Sequence, residues 1–254
     1  PAFSTWATAA TNIQAAIDAA SGGDTIRIAH GTYTIDAAAT NTAMCYVNKP
    51  LSIIGGRGTL FDADKTILNA NGDRRVVNIA KTGVTISGVT LTGAYTTNSG
   101  AALYNYGGYK TELNNCIVRN NYSSGSYGAF YIRTANTNYP FYMNNCIIVG
   151  NQGASYSGVT AETGNTIVHA RNCIVEANLP ANYYSGNGRL VFINNVLGGG
   201  VEKNNFYYGG NIATNTTNSV MRLLDIAPAS EGVGTSLVWR GVSAYIPRLG
   251  SLAR

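Results

Sequence analysis

Asn114-Asn115-Cys116-Ile117-Val118-Arg119-Asn120-Asn121 is the stretch whose reading decides the fold. Its first five residues return as Asn144-Asn145-Cys146-Ile147-Ile148 and as Arg171-Asn172-Cys173-Ile174-Val175, and more loosely as Asn194-Asn195-Val196-Leu197. With Cys116, Cys146, Cys173 and Val196 taken as equivalent, the interval narrows from one unit to the next, and five residues after each cysteine an asparagine follows, at Asn121, Asn151 and Asn178. Upstream, Ile86-Ser87-Gly88-Val89-Thr90-Leu91 carries the same apolar alternation, with Val89 as far before Cys116 as Cys146 is before Cys173. At least five units share one register.

A period of this size suits leucine-rich repeats, helical-pair repeats and β-helices, so the contents of each unit decide. Each unit holds short alternating runs rich in β-branched residues, broken by Gly, Asn and Ser every six to ten residues, with almost no helical period. Three short strands and three turns per unit follow. Stacked in parallel, equivalent residues lie about 4.8 Å apart and like side chains form ladders. Cys116, Cys146 and Cys173, flanked by Val89 and Val196, are predicted to form one inward column. The asparagines suit corners, because Asn tolerates left-handed backbone and its amide can bond to the amide of the next coil. Asn204-Asn205-Phe206 repeats the motif only ten residues after Val196, which reads either as a second strand of the same coil or as a slip of register.

The fold class expected is therefore all-β: a single-domain right-handed parallel β-helix with a short N-terminal capping helix. Residues 12–20 place Ile13, Ala16, Ile17 and Ala20 at helical spacing behind the N-cap residue Asn12, and Gly22-Gly23 stops the run. Asp24-Thr25-Ile26-Arg27-Ile28 alternates as a first strand, and Gly31-Thr32-Tyr33 reads as a turn. Residues 1–23 make the cap, 24–224 the coils and 225–254 a closing or assembly segment containing Trp239, Tyr245 and Pro247. A helix over the first coil would cover strand edges that otherwise invite aggregation.

Ser21-Gly22-Gly23-Asp24-Thr25-Ile26 through Gly31-Thr32-Tyr33 resembles the opening of pectate-lyase-like right-handed β-helices. Gly100-Ala101-Ala102-Leu103-Tyr104-Asn105, followed by Asn114-Asn115-Cys116 and Asn121, is similar to the repeat of bacterial polymorphic outer-membrane-protein-type surface β-helices. Ala227-Pro228-Ala229-Ser230 with Gly234 resembles the closing segment of such domains. The resemblance implies the fold and leaves the function open, since the superfamily holds lyases, hydrolases, adhesins, tailspikes and structural proteins.

Composition narrows the partners. Charged residues are 11% of the chain, against roughly 25% in ordinary soluble domains, while 30 glycines, 17 tyrosines and 29 asparagines supply surface polarity through amides and phenols. The net charge of +5 is spread thinly, with Arg74-Arg75 the one adjacent basic pair, so nucleic acid is not an expected partner. No run is long and apolar enough to span a bilayer, and the chain opens at Pro1 without a signal-peptide pattern, as a processed terminus would. An extracellular or cell-surface location is expected, a virion being the alternative setting.

The densest group with chemistry is Asp62, Asp64, Asp73, Arg74 and Arg75. Carboxylates beside an arginine could hold a divalent cation and assist proton abstraction from a uronic acid. The neighbouring Gly55-Gly56-Arg57-Gly58 and Asn71-Gly72-Asp73 favour solvated turns instead. His30 and His169 stand alone in sequence, and the four cysteines lack zinc-site spacings, so neither a metal nor another cofactor is expected. Tyr104, Tyr106, Tyr109, Tyr122, Tyr127, Tyr131, Tyr139, Tyr142 and Tyr156 form either a sugar-binding or protein-binding face or stacked aromatic ladders. Asn121-Tyr122-Ser123 and Asn215-Thr216-Thr217 are formal glycosylation sequons, as chance supplies in an Asn-rich chain. With no catalytic residue assigned, the expected function is a non-enzymatic structural or adhesive surface protein that associates head to tail or laterally and meets cell-surface polysaccharide. The alternatives are a polysaccharide lyase or glycoside hydrolase, and a viral glycan-binding attachment protein.

Overall fold

The computed structural model describes residues 3–35, 41–107, 109–133 and 137–198, and beyond them strands Val201–Glu202, Phe206–Gly209 and Ile212–Ala213. Every paired strand in it is parallel to its neighbour, and strands follow one another around a coil in a fixed order, giving a right-handed parallel β-helix. The first sheet stacks eight strands: Thr25–Ile28, Ser52–Gly55, Val84–Ser87, Thr111–Asn114, Phe141–Asn144, Ile167–Arg171, Arg189–Ile193 and Phe206–Gly209. The second begins at Gly31–Thr34 and also has eight, passing through Ile117–Arg119, Ile147–Val149 and Ile174–Glu176 to Ile212–Ala213. The third holds Ala43–Val47, Arg75–Ile79, Leu103–Asn105 and Phe130–Ile132. It passes its path to Val159–Ala161, Tyr183–Ser185 and Val201–Glu202 through bonds such as Gly128 N–H to Tyr156 O, 2.7 Å, and Ala129 N–H to Ser157 O, 2.8 Å. Gly31–Thr34, expected as a turn, is thus a strand, because the second sheet starts there and pairs it with Thr66–Asn69.

Alternation puts one matched column of apolar side chains inside each sheet. Along the first sheet the column runs Ile26, Ile53, Ile86, Leu113, Met143, Ala170 and Phe192. Along the second it runs Leu68, Leu91, Val118, Ile148, Val175 and Leu197. From Ile53 and Leu68 onward these side chains are at most 1% exposed, and each buried aliphatic side chain contributes about 1.5–3 kcal/mol.

The cysteine column exists as predicted for Cys116, Cys146 and Cys173. All three are buried and free, on successive coils, with Ile117, Ile147 and Ile174 paired beside them. Each thiol donates to a carbonyl of its own corner, Cys116 to Asn114 O at 3.3 Å, Cys146 to Asn144 O at 3.3 Å and Cys173 to Arg171 O at 3.2 Å. Burial pushes the Cys146 thiol well above its ordinary value and the isolated Cys45 thiol up to about 12. Val89 occupies the same column, since Ile117 pairs with Thr90. Val196 does not: it pairs with Ile174, so the rung beside Cys173 is Asn195, whose Oδ1 accepts from Cys173 N–H at 2.7 Å. The column therefore steps from Cys173 to Asn195, one residue short of the position expected from sequence.

Two sets of asparagines divide the corner work. Asn115, Asn145, Asn172 and Asn194, with φ of 53 to 56°, make the left-handed turn between the first and second sheets, and Gly88 makes it one coil earlier. A Cβ on Gly88 would lie 2.6 Å from the Gly58 backbone, so glycine alone fits that position. Asn121, Asn151 and Asn178 are buried at the next corner, where each side chain bonds to the next: Asn121 Nδ2 to Asn151 Oδ1, 2.9 Å, Asn151 Nδ2 to Asn178 Oδ1, 2.8 Å, and Asn178 Nδ2 to Asn182 Oδ1, 2.9 Å. The same amides donate to Leu91, Val118 and Ile148 carbonyls, which ties every ladder asparagine to the coil before it.

Phe206 resolves the ambiguous motif. It pairs with Leu190 in the first sheet, and Ile212 pairs with Val196 in the second, so this is a new, shorter coil rather than a second strand of the preceding one. The N-terminal helix spans Ile13–Ala19, with Asn12 Oδ1 accepting from Gln14 N–H at 2.8 Å. It packs on Ala43–Val47, the leading edge of the third sheet, where Gln14 Oε1 accepts from Tyr46 N–H at 2.7 Å and Gln14 Nε2 donates to Tyr46 O at 3.3 Å. Lys49 Nζ closes the helix end by donating to Ile17, Asp18 and Ala20 carbonyls. Among the described residues no helix is long and apolar enough to cross a membrane. Residues 225–254 lie outside those described.

Candidate functional site

Asp62 is buried, contrary to its reading as a solvated turn residue. It sits on the short helix Leu60–Ala63 between the first and second sheets, behind Thr59, which forms a reciprocal cap: Thr59 Oγ1 donates to Asp62 Oδ2 at 2.6 Å and accepts from Asp62 N–H at 3.2 Å. The other oxygen, Oδ1, lies 2.8 Å from His30 Nε2, so the histidine that stands alone in sequence is paired in space. The His30 side chain is 47% exposed and that of Asp62 7%. Burial alone would raise the Asp62 carboxyl, but hydrogen bonds from Thr59 and His30 side chains and from Thr59 and Arg57 backbone amides outweigh it and hold the group down to about 2. The pair is a carboxylate locked in its ionised form with an imidazole at the surface.

The other members of the sequence cluster are elsewhere. Asp64 is the C-cap residue of the same helix, whereas Asp73, Arg74 and Arg75 follow the left-handed turn Asn71-Gly72 between the second and third sheets. Asp73 pairs with Arg74 at 2.6 Å, and Arg74 also reaches Asn41 O at 2.7 Å. Arg75 donates twice to Ser99 O, at 3.2 and 3.1 Å, and covers the Tyr104 ring at 4.4 Å. The coil therefore splits the five residues between two corners. The His30 to Asp62 contact was invisible because the two residues are separated by one turn of the coil and share no motif.

The tyrosines are organised as stacks along the outside of the third sheet. Tyr104 and Tyr131 are register partners with ring centroids 5.4 Å apart and planes 16° apart. Tyr106 lies beside both, at 5.9 and 6.1 Å, and Arg133 lies 4.8 Å over the Tyr106 ring while donating to its hydroxyl. Tyr127, Tyr156 and Tyr184 continue the run, the last two only 3.8 Å apart. Tyr127 donates to Glu162 Oε1 at 3.3 Å. Burial, followed by the Glu162 carboxylate, pushes both the Tyr127 and Tyr131 phenols well up. Faces that pack on one another are not offered to a sugar. Of the other tyrosines, Tyr109 packs on the core and Asn105 Nδ2 donates to its carbonyl, Tyr139 is exposed, and Tyr95 stacks on Tyr122.

On the outside of the first sheet, Tyr142 stacks on its register partner His169 at 4.9 Å. Burial and then Arg171 and Arg189 lower the pKa of His169, and its Nδ1 is buried without a hydrogen-bond partner among the described residues. At the N-terminal end, Phe3, Trp6, Ile13, Ala16, Ile26 and Tyr33 line an open groove of about 1070 Å³ beside the leading strand of the first sheet. The sequon at Asn121 is closed to glycosylation, because the side chain is buried and its amide donates to Leu91 O, Arg119 O and Asn151 Oδ1. The sequon at Asn215 lies outside the described residues.

Fold and side-chain arrangement together define a right-handed parallel β-helix whose corner asparagines bond from coil to coil. No protein-family model matches the chain, and no curated protein sequence matches it. Among solved structures it is similar to the pectin methylesterase from Aspergillus niger, at 15% identity and a TM-score of 0.44, over 84% of this chain and 85% of that one.

Proposed function

We propose that this protein is a non-enzymatic structural or adhesive element of an extracellular surface, a rigid shaft that joins other copies of itself end to end or side by side. The observation that carries the reading is the use of side chains that elsewhere do chemistry. Amides bond to amides of the next coil, thiols are sealed inside, phenols stack, and the most buried of the described carboxylates, Asp62, caps a helix and holds a histidine. Such ladders stiffen a solenoid. The likeness of the Asn-Asn-Cys units to bacterial surface repeats agrees with this role, and the groove beside the leading strands offers an end at which association can occur.

Incubation of the full chain with acidic and neutral polysaccharides tests the enzymatic alternative. No new unsaturated-product absorbance and no new reducing ends are expected, while sedimentation at rising concentration is expected to reveal assemblies. Turnover that disappears in both Asp62→Asn and His30→Ala would overturn the proposal in favour of a catalytic pair at that corner.

A further inference from the structure

Tyr95 and Tyr122 belong to a short two-stranded sheet outside the main three, where they are Cα partners on successive coils. Their rings lie 5.4 Å apart with planes 10° apart, and the residues are 42% and 38% exposed. Among the described stacked tyrosine pairs, this is the one with both rings at the surface. The exposed Tyr106 differs: its neighbours Tyr104 and Tyr131 are half-buried, and its hydroxyl and ring are both engaged by the Arg133 cation, which withdraws electron density. Tyr127 and Tyr131 are held by Glu162. The next rungs of the Tyr95 column are Gln152 and Leu179, so the run of phenols stops at two.

We propose that Tyr95 and Tyr122 are a site of oxidative phenol coupling, at which a peroxidase using hydrogen peroxide joins two coils through a dityrosine bond. Each phenol loses one electron and its hydroxyl proton to give a phenoxyl radical. The two radicals combine through the ring carbons next to oxygen, and each of those carbons then releases its hydrogen as the phenols re-form. One carbon–carbon bond is made and two carbon–hydrogen bonds are broken, while the two electrons and two protons reduce one hydrogen peroxide to two waters. Neighbouring parallel strands hold the two side chains about 4.8 Å apart at their backbones, which gives the second radical a high effective concentration. Both residues are exposed, at 42% and 38%, which leaves the rings room to turn from stacked to edge-to-edge.

The test is treatment of the dilute full chain with peroxidase and hydrogen peroxide, read by intact mass, dityrosine fluorescence and peptide mapping. Expected are a mass loss of two hydrogens in a species of unchanged size, a blue emission, a linked peptide pair carrying Tyr95 and Tyr122, and a raised melting temperature. Tyr122→Phe, which keeps the ring, is expected to lose the link, and Tyr106→Phe to retain it. Oxidation without a link, links that map to other tyrosines, products only between molecules, or a link undiminished in Tyr122→Phe would each overturn the proposal.

Discussion

Asparagine serves this chain in two ways that depend on one residue of offset. Asn120 adopts a left-handed conformation with φ of 54°, whereas its neighbour Asn121 is buried with its amide bonded into the ladder. Equivalent to Asn120 on the later coils are Gly150, φ 63°, and Ala177, φ 53°. Left-handed backbone costs an alanine about 1–2 kcal/mol, and Ala177 is exposed, so nothing in the core compensates. Ala177→Gly is therefore expected to stabilise the protein by about 1 kcal/mol, less the added freedom of glycine in the unfolded chain, measured by the denaturant midpoint; a lower midpoint would contradict this. Asp62 supplies a pH signature. Its carboxyl ionises at about 2 in the fold and at 3.8 ordinarily, so its stabilisation is complete above pH 3.8 and is lost as pH falls toward 2. Asp62→Asn is expected to flatten the stability profile in that window, measured as melting temperature against pH, and an unchanged slope would count against a carboxyl held down by its hydrogen bonds. The ladder asparagines were legible in the sequence because they recur five residues after each cysteine. The partnership of Asp62 with His30 was not, because a single contact between coils leaves no repeat to detect.

At the scale of elements, the helix Ile13–Ala19 shows how the shaft begins. Its Gln14 amide replaces a missing neighbouring strand by making both backbone bonds to Tyr46, and Lys49 satisfies three of the carbonyls at its end. Gln14→Ala leaves the Tyr46 N–H and carbonyl unpaired beneath the helix, at an expected cost of about 1–3 kcal/mol. Limited proteolysis within residues 3–20 should speed up, and a cleavage rate equal to that of the parent would contradict the role. Helical spacing made this element readable, but its seat on the third sheet was not, since that depends on the path of residues far along the chain. The same limit explains the errors of register. Asn194-Asn195 matched the earlier pairs by residue type, yet a left-handed Asn194 puts Asn195, not Val196, on the cysteine column. Phe206 sat too close to be counted as another turn because coils shorten along the chain: the step from Val196 to its partner Ile212 is little more than half the step from Ile117 to Ile147. Strand alternation survives such shortening while the loops absorb it.

At the scale of the molecule, the eight described parallel strands in each of the two long sheets span about 34 Å at about 4.8 Å per rung. Each coil touches chiefly the coils before and after it, so stability should pass along the shaft by nearest-neighbour steps. Asn151 is the sharpest place to disturb it. Its Oδ1 accepts from Asn121 N–H and Nδ2, and its Nδ2 donates to Val118, Val149 and Asn178 oxygens. Removing it strands several buried groups, at an expected cost of about 3–5 kcal/mol. The most direct measurement is residue-resolved amide hydrogen exchange on the full chain and on Asn151→Ala. The expected result is protection in all three sheets of the parent, with the variant losing it in the coils of Asn121 and Asn178 as well as its own, and least at Ala43–Val47. Protection that changes only within the coil of Asn151, or does not change at all, would contradict a shaft held together by its ladders.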